Sequence, residues 1–172
     1  MMRMLDAGGI PALTDGARRA DTHNPHGYFE YEPVKRLAAD SSWMETARGK
    51  SLKVIYRLLR NLPAGIPYRV ILMERDMREV FDSQHDMLVA RGDKAADQTS
   101  DRLITALASD LEDTKRWLAR QPHIAVLEVR YTDVIADPAG RAREISRFLG
   151  GALDEEAMAA AVDPSLYRHR RR

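Results

Sequence analysis

Arg69-Val70-Ile71-Leu72-Met73-Glu74-Arg75-Asp76-Met77-Arg78-Glu79-Val80-Phe81-Asp82-Ser83 is the stretch that decides the fold class. Its four consecutive apolar residues, Val70 to Met73, suit a strand covered on both faces, as in parallel sheets. Met77, Val80, Phe81 and Leu88 then recur at helical spacing, which predicts a helix from about Met77 to Ala90 with Gly92 ending it.

The same alternation continues outward. Ile124-Ala125-Val126-Leu127-Glu128-Val129 reads as another strand, and Leu52-Lys53-Val54-Ile55-Tyr56 as a shorter one. The longest helix is expected over Ser100 to Ala119, carrying Leu103, Leu107, Leu111 and Leu118, with Pro122 as its stop. Ala139 to Leu149, closed by Gly150-Gly151, and Asp154 to Val162 give two more helices. Toward the N-terminus, Pro33 suits the first helical position of a helix reaching about Met44. Met1, Met4 and Leu5 before Gly8-Gly9 read as a helix end without a cap ahead of it. Three strands separated by helices predict one α/β domain over residues 1–172, with a small parallel sheet flanked by helices.

Composition narrows the function. The chain has 172 residues, 27 Lys plus Arg against 26 Asp plus Glu, and a formal net charge of +1. Such balance argues against holding nucleic acid by bulk charge. Without cysteine there is no disulfide framework, thiolate metal site or thiol nucleophile. No apolar run approaches the ~18–20 residues of a membrane span, and the first residues lack a secretory apolar core. Cytoplasm is the expected compartment.

Ligands of open parallel sheets bind at the carboxyl ends of strands. Arg75 leaves one such end and Ser83 lies in the helix beyond, a fork and a hydroxyl suited to a phosphate. The plainer reading pairs Arg75 with Asp76 or Glu79 at the surface. Tyr131, after the Ile124–Val129 strand, could stack on a flat ligand or simply pack over the capped turn Asp137-Pro138. Gly49-Lys50-Ser51 is not a phosphate loop, because the glycine that motif needs falls on Met44. His23 and His26 with Asp21 offer no third metal ligand at helical or strand spacing, and the Arg168–Arg172 tail reads as solvated.

Together these segments resemble the sulfotransferase family, particularly bacterial members of its P-loop superfamily. Arg75 and Ser83 have that family's spacing of an Arg and a Ser that hold the 3′-phosphate of 3′-phosphoadenosine-5′-phosphosulfate, although its usual Asn-Pro is Asp76-Met77 here. Tyr131-Thr132-Asp133-Val134-Ile135-Ala136-Asp137-Pro138 and Ile145-Ser146-Arg147-Phe148-Leu149-Gly150 are similar to its later signature, and Tyr131 falls at the adenine contact. Asn24-Pro25-His26-Gly27-Tyr28-Phe29-Glu30 is similar to a loop of bacterial members. The family opens with a strand and a Pro-Arg-Ser-Gly-Thr-Ser type of loop around the 5′-phosphosulfate. The chain starts within what would be the following helix, so that first strand and loop are expected to be missing from it.

The resemblance implies in-line transfer of a sulfuryl group to an acceptor hydroxyl of a small molecule or carbohydrate, without a metal. Animal members place a histidine base near their Lys-Thr; Lys53-Val54-Ile55 has none. The resemblance implies Glu30 as the base, since it follows the acceptor-side Asn-Pro-x-Gly-Tyr type of loop and some bacterial members use a glutamate; Glu32 is the fallback, and Lys53 the candidate for orienting acceptor or sulfonate. Without the phosphosulfate loop, efficient transfer is not expected of this chain by itself. Two other classes fit the same outline: a different P-loop nucleotide enzyme such as a small kinase, and a non-catalytic interaction domain that kept the scaffold.

Overall fold

The computed structural model describes residues 1–18, 20, 21, 24–81 and 101–167. Two parallel strands, β1 (Tyr68–Glu74) and β2 (Ile124–Arg130), pair in continuous register from Tyr68–Ile124 to Glu74–Arg130. The helices are α1 (Met2–Ala7), α2 (Asp101–Leu118), α3 (Tyr131–Ala136), α4 (Pro138–Leu149) and α5 (Glu155–Ala160), with a helical turn at 77–81.

Side chains alternate across a strand, and here the two faces of the sheet meet different cores. Ile71 and Met73, opposite Leu127 and Val129, pack with Met4, Leu5, Ile145 and Met158 of α1, α4 and α5. Val70 and Val126, with Tyr68 and Ile124, pack instead with Trp117 and Leu118 of α2 and with Leu59. Each face of the sheet is thus covered by helices, which explains why the Val70–Met73 run carries no polar residue. The protein is a mixed α/β fold in three layers.

The helix ends follow local chemistry. Asp137 caps α4 by accepting from the Gly140 amide at 2.8 Å, and Pro138 occupies the first turn, where no amide partner is needed. At the other end Gly150 takes φ +119°, letting the Gly151 amide reach the Ser146 carbonyl at 2.7 Å. Asp154 caps α5 through the Ala157 amide at 2.9 Å, while its own amide donates to the Gly8 carbonyl at 3.2 Å. That bond ties the end of α1 to the start of α5.

Two expected elements differ. Leu52–Tyr56 is not a strand: Ser51 forms a lone parallel bridge with Ala12, and residues 52–55 continue without a ladder partner. A short 3-10 helix then takes Tyr56–Asn61. The sheet accordingly has two strands among the described residues, not three. Nor does a helix run from Pro33 to Met44; two 3-10 segments, Glu32–Arg36 and Ser42–Ala47, replace it. The Asp40 carboxylate takes both the amide (2.9 Å) and the hydroxyl (2.7 Å) of Ser42, a local turn that competes with helical bonding. The expected helix after Met77 is seen at 77–81; its remainder lies outside the described residues, as do Ser83, His23 and the Arg168–Arg172 tail.

Candidate functional site

β1 and β2 end side by side at Glu74 and Arg130, so the next residue of each, Arg75 and Tyr131, leaves the same edge of the sheet. The Arg75 guanidinium carbon lies 5.1 Å from the centre of the Tyr131 ring and 5.5 Å from that of Tyr167. The two rings meet edge to face, 5.2 Å apart at 83°. A cation in the corner of two aromatic faces is held by their quadrupoles while keeping its hydrogen-bonding edge.

That edge is divided. Arg75 Nε donates to Glu79 Oε2 at 3.2 Å, and the Tyr167 hydroxyl donates to Glu79 Oε1 at 2.9 Å. Among the described residues, Nη1 and Nη2 of Arg75 have no hydrogen-bond partner. The Arg75–Glu79 pair weighed from the sequence therefore exists, but buried: Glu79 is 4% exposed. Asp76 caps the 77–81 turn, accepting from the amides of Arg78 (2.8 Å) and Glu79 (3.3 Å). Asp76 thus does at a helix start what an asparagine would do equally well.

Glu74, one residue before Arg75, belongs to a second network. Lys115 of α2 pairs with Glu74, with Glu128 at 2.9 Å and with Glu112 at 3.3 Å. Burial works to lower the Lys115 ammonium pKa, but the bonds to the three carboxylates outweigh it and raise it. The Glu74 carboxyl is correspondingly lowered, chiefly by its bond from Lys115. This brace fastens the carboxyl end of β1 to α2.

Glu30 and Lys53 are also brought together. Arg18 Nη1 reaches Glu30 Oε1 at 3.0 Å and Lys53 Nζ reaches the same oxygen at 3.7 Å. Glu30 Oε2 has no partner among the described residues. Lys53 donates to the Tyr28 carbonyl at 3.1 Å, and Arg18 stacks over the Tyr28 ring at 3.2 Å. Phe29, immediately before Glu30, has φ +51°, a left-handed conformation unusual for an aromatic residue. Its neighbour is fixed there by the Thr14 hydroxyl, which donates to the Glu30 carbonyl at 2.9 Å. Glu32 stands apart from this pair, exposed and bonded to Lys35.

One link connects the Asn24–Gly27 loop to the segment that carries Tyr167. His26 Nε2 lies 3.4 Å from Asp163 Oδ2. Tyr167 and Arg18 were not singled out from the sequence. Glu79, four residues from Arg75, reads from the sequence only as a surface partner; nothing local announces Tyr167, which reaches Glu79 across 88 positions. Among the described residues no three His, Asp or Glu side chains converge as a metal site would, and no helix is long and apolar enough to cross a membrane.

A parallel sheet packed between helices, with an arginine and aromatic rings at its carboxyl edge, defines an α/β protein, and in open parallel sheets that edge is where ligands bind. The particular membership follows from the sequence comparison. The chain belongs to the Sulfotransferase family, whose model matches residues 17–155 and so takes in Glu30, Lys53, Arg75 and Tyr131. No curated protein and no solved structure gives a significant match.

Proposed function

We propose that this chain binds 3′-phosphoadenosine-5′-phosphosulfate at the carboxyl edge of β1 and β2 and serves sulfuryl transfer to an acceptor hydroxyl. One observation carries the reading: Arg75 lies between two aromatic rings with Nη1 and Nη2 unpartnered among the described residues, matching an anion attached to a flat base. In this reading Arg75, with Ser83 from beyond the described residues, takes the ribose 3′-phosphate, and Tyr131 stacks on the adenine. Metal chemistry is not part of the proposal.

The chemical step is a displacement at sulfur. The acceptor oxygen forms the new S–O bond as the bond to adenosine 3′,5′-bisphosphate breaks, and the hydroxyl proton passes to a base. Glu30 supports that role through its division of labour: Oε1 is held by Arg18 and Lys53, while Oε2 has no partner among the described residues. Lys53, 46% exposed at its side chain, can turn from Glu30 toward the sulfonate or acceptor. Glu32 is the less suited of the two glutamates because Lys35 engages it in solvent. The acceptor proposed is a small-molecule or carbohydrate hydroxyl.

Calorimetric titration with adenosine 3′,5′-bisphosphate and with adenosine 5′-monophosphate tests the proposal. Tighter binding of the bisphosphate is expected. Equal affinities would remove the 3′-phosphate role of Arg75, and tighter binding of magnesium ATP than of either would favour a kinase.

A further inference from the structure

We infer that Glu79 and Tyr167 are positioning residues that give Arg75 its selectivity for a phosphate monoester at the ribose 3′ position. The inference rests on the nucleotide reading above and adds to it two residues that touch no reacting atom.

An arginine on its own is a poor discriminator, because its side chain turns freely and its five donors can meet an anion in several ways. Here Glu79 Oε2 takes Nε, which fixes the plane of the guanidinium and leaves the Nη1–Nη2 fork without a partner among the described residues. A fork of two parallel donors matches two oxygens of one phosphate. The position of Glu79 is itself fixed twice. Asp76 caps the turn from which it projects, and the Tyr167 hydroxyl holds its other oxygen at 2.9 Å. With 4% exposure Glu79 has little solvent to satisfy it, so Arg75 and Tyr167 help hold it in one orientation. Tyr167 acts in two ways, its ring against Tyr131 and its hydroxyl on Glu79.

A rival account gives the opposite sign. If Glu79 merely neutralised Arg75, its negative charge would oppose an incoming phosphate and its removal would strengthen binding. The ratio of affinities for adenosine 3′,5′-bisphosphate and adenosine 5′-monophosphate separates the two, and a general loss of folding would lower both affinities together. Three variants of the full chain are compared: Glu79→Leu, which removes both acceptors; Glu79→Gln, whose carbonyl can still accept from Nε; and Tyr167→Phe, which keeps the ring.

The wild-type preference for the bisphosphate should fall about tenfold in Glu79→Leu, recover in part in Glu79→Gln, and fall about threefold in Tyr167→Phe. An unchanged or larger preference in Glu79→Leu and Tyr167→Phe overturns the inference while leaving the nucleotide reading in place. Absence of any preference in the wild type overturns both. Should Glu79→Leu fail to fold, Tyr167→Phe decides alone, since it deletes one hydroxyl from a half-buried side chain.

Discussion

Arg75 and Tyr131 face each other because they are the first residues beyond a matched pair of strand ends, Glu74 and Arg130, and the guanidinium stacks 5.1 Å from the ring centre. Register fixes this meeting. A slip of one residue would turn every side chain of β2 to the other face and take Val129, now 1% exposed, out of the core it shares with Met4 and Ile145. The site is therefore held in place by the same packing that stabilises the sheet.

Replacing Arg75 should separate charge from geometry. Arg75→Ala is expected to weaken adenosine 3′,5′-bisphosphate by about 2–3 kcal/mol, the size of lost charged hydrogen bonds. Arg75→Lys keeps the charge but not the fork or the stacking plane, so it should recover less than half of that loss. Calorimetry of the three proteins at one ionic strength checks it; full recovery by lysine would mean that only charge matters.

The Glu30 oxygen that has no partner among the described residues leads to a prediction about rate rather than binding. Glu30→Gln should lower transfer by roughly 10²-fold or more while leaving the affinity for adenosine 3′,5′-bisphosphate within about twofold. Glu32→Gln, altering an exposed pair with Lys35, should change neither by more than about twofold. Turnover and nucleotide affinity measured on the same preparations decide between the glutamates. A larger effect at Glu32 would move the base to that position.

Much of this architecture is legible locally. Val70–Met73 and Val126–Leu127 announce buried strands, Asp137-Pro138 and Gly150-Gly151 bracket α4, and Asp154 starts α5. Leu52–Tyr56 shows where local reading stops. Its burial alternates as a strand's would, with Ile55 62% exposed, yet a strand also needs a neighbour, and only Ser51 finds one. The same limit governs the site. Arg75 and Tyr131 could be named because each follows a recognisable strand. Tyr167 could not, since its place depends on how the chain returns after α5, with Asp163 meeting His26 on the way.

Gly8 offers a test of the packing between α1 and α5. A Cβ there would lie 2.6 Å from Met158 Cγ and 2.8 Å from its sulfur, and Met158 is fully buried in the core. Gly8→Val should therefore destabilise the protein by about 1–3 kcal/mol, as overpacking does, in spite of valine's favourable burial. Gly65→Ala, where nothing lies within 4 Å but φ is +89°, isolates the backbone cost alone and should be milder, near 1 kcal/mol. Urea unfolding of both variants gives the comparison. A neutral Gly8→Val would show that the two helices can part without loss.

The Lys115 brace makes stability depend on pH in a definite direction. Glu74, held below its ordinary value of 4.5 by the bond from Lys115, contributes stability above that pH and loses it as the pH falls through its lowered folded value. Lys115, raised above its ordinary 10.5, contributes below that pH and loses it only as the pH rises past its folded value. Between roughly pH 5 and 10 the brace is complete. Lys115→Met leaves Glu74 and Glu128 without their shared cation and should cost about 1–3 kcal/mol at pH 7. Glu112→Gln removes only the most exposed partner and should cost under about 0.5 kcal/mol. Because protonation of the carboxylates relieves the bare pair, the gap between wild type and Lys115→Met should narrow as the pH falls from 7 to 3. Urea midpoints at the two pH values measure it, and a gap of constant size would show that the loss does not come from the Lys115 charge.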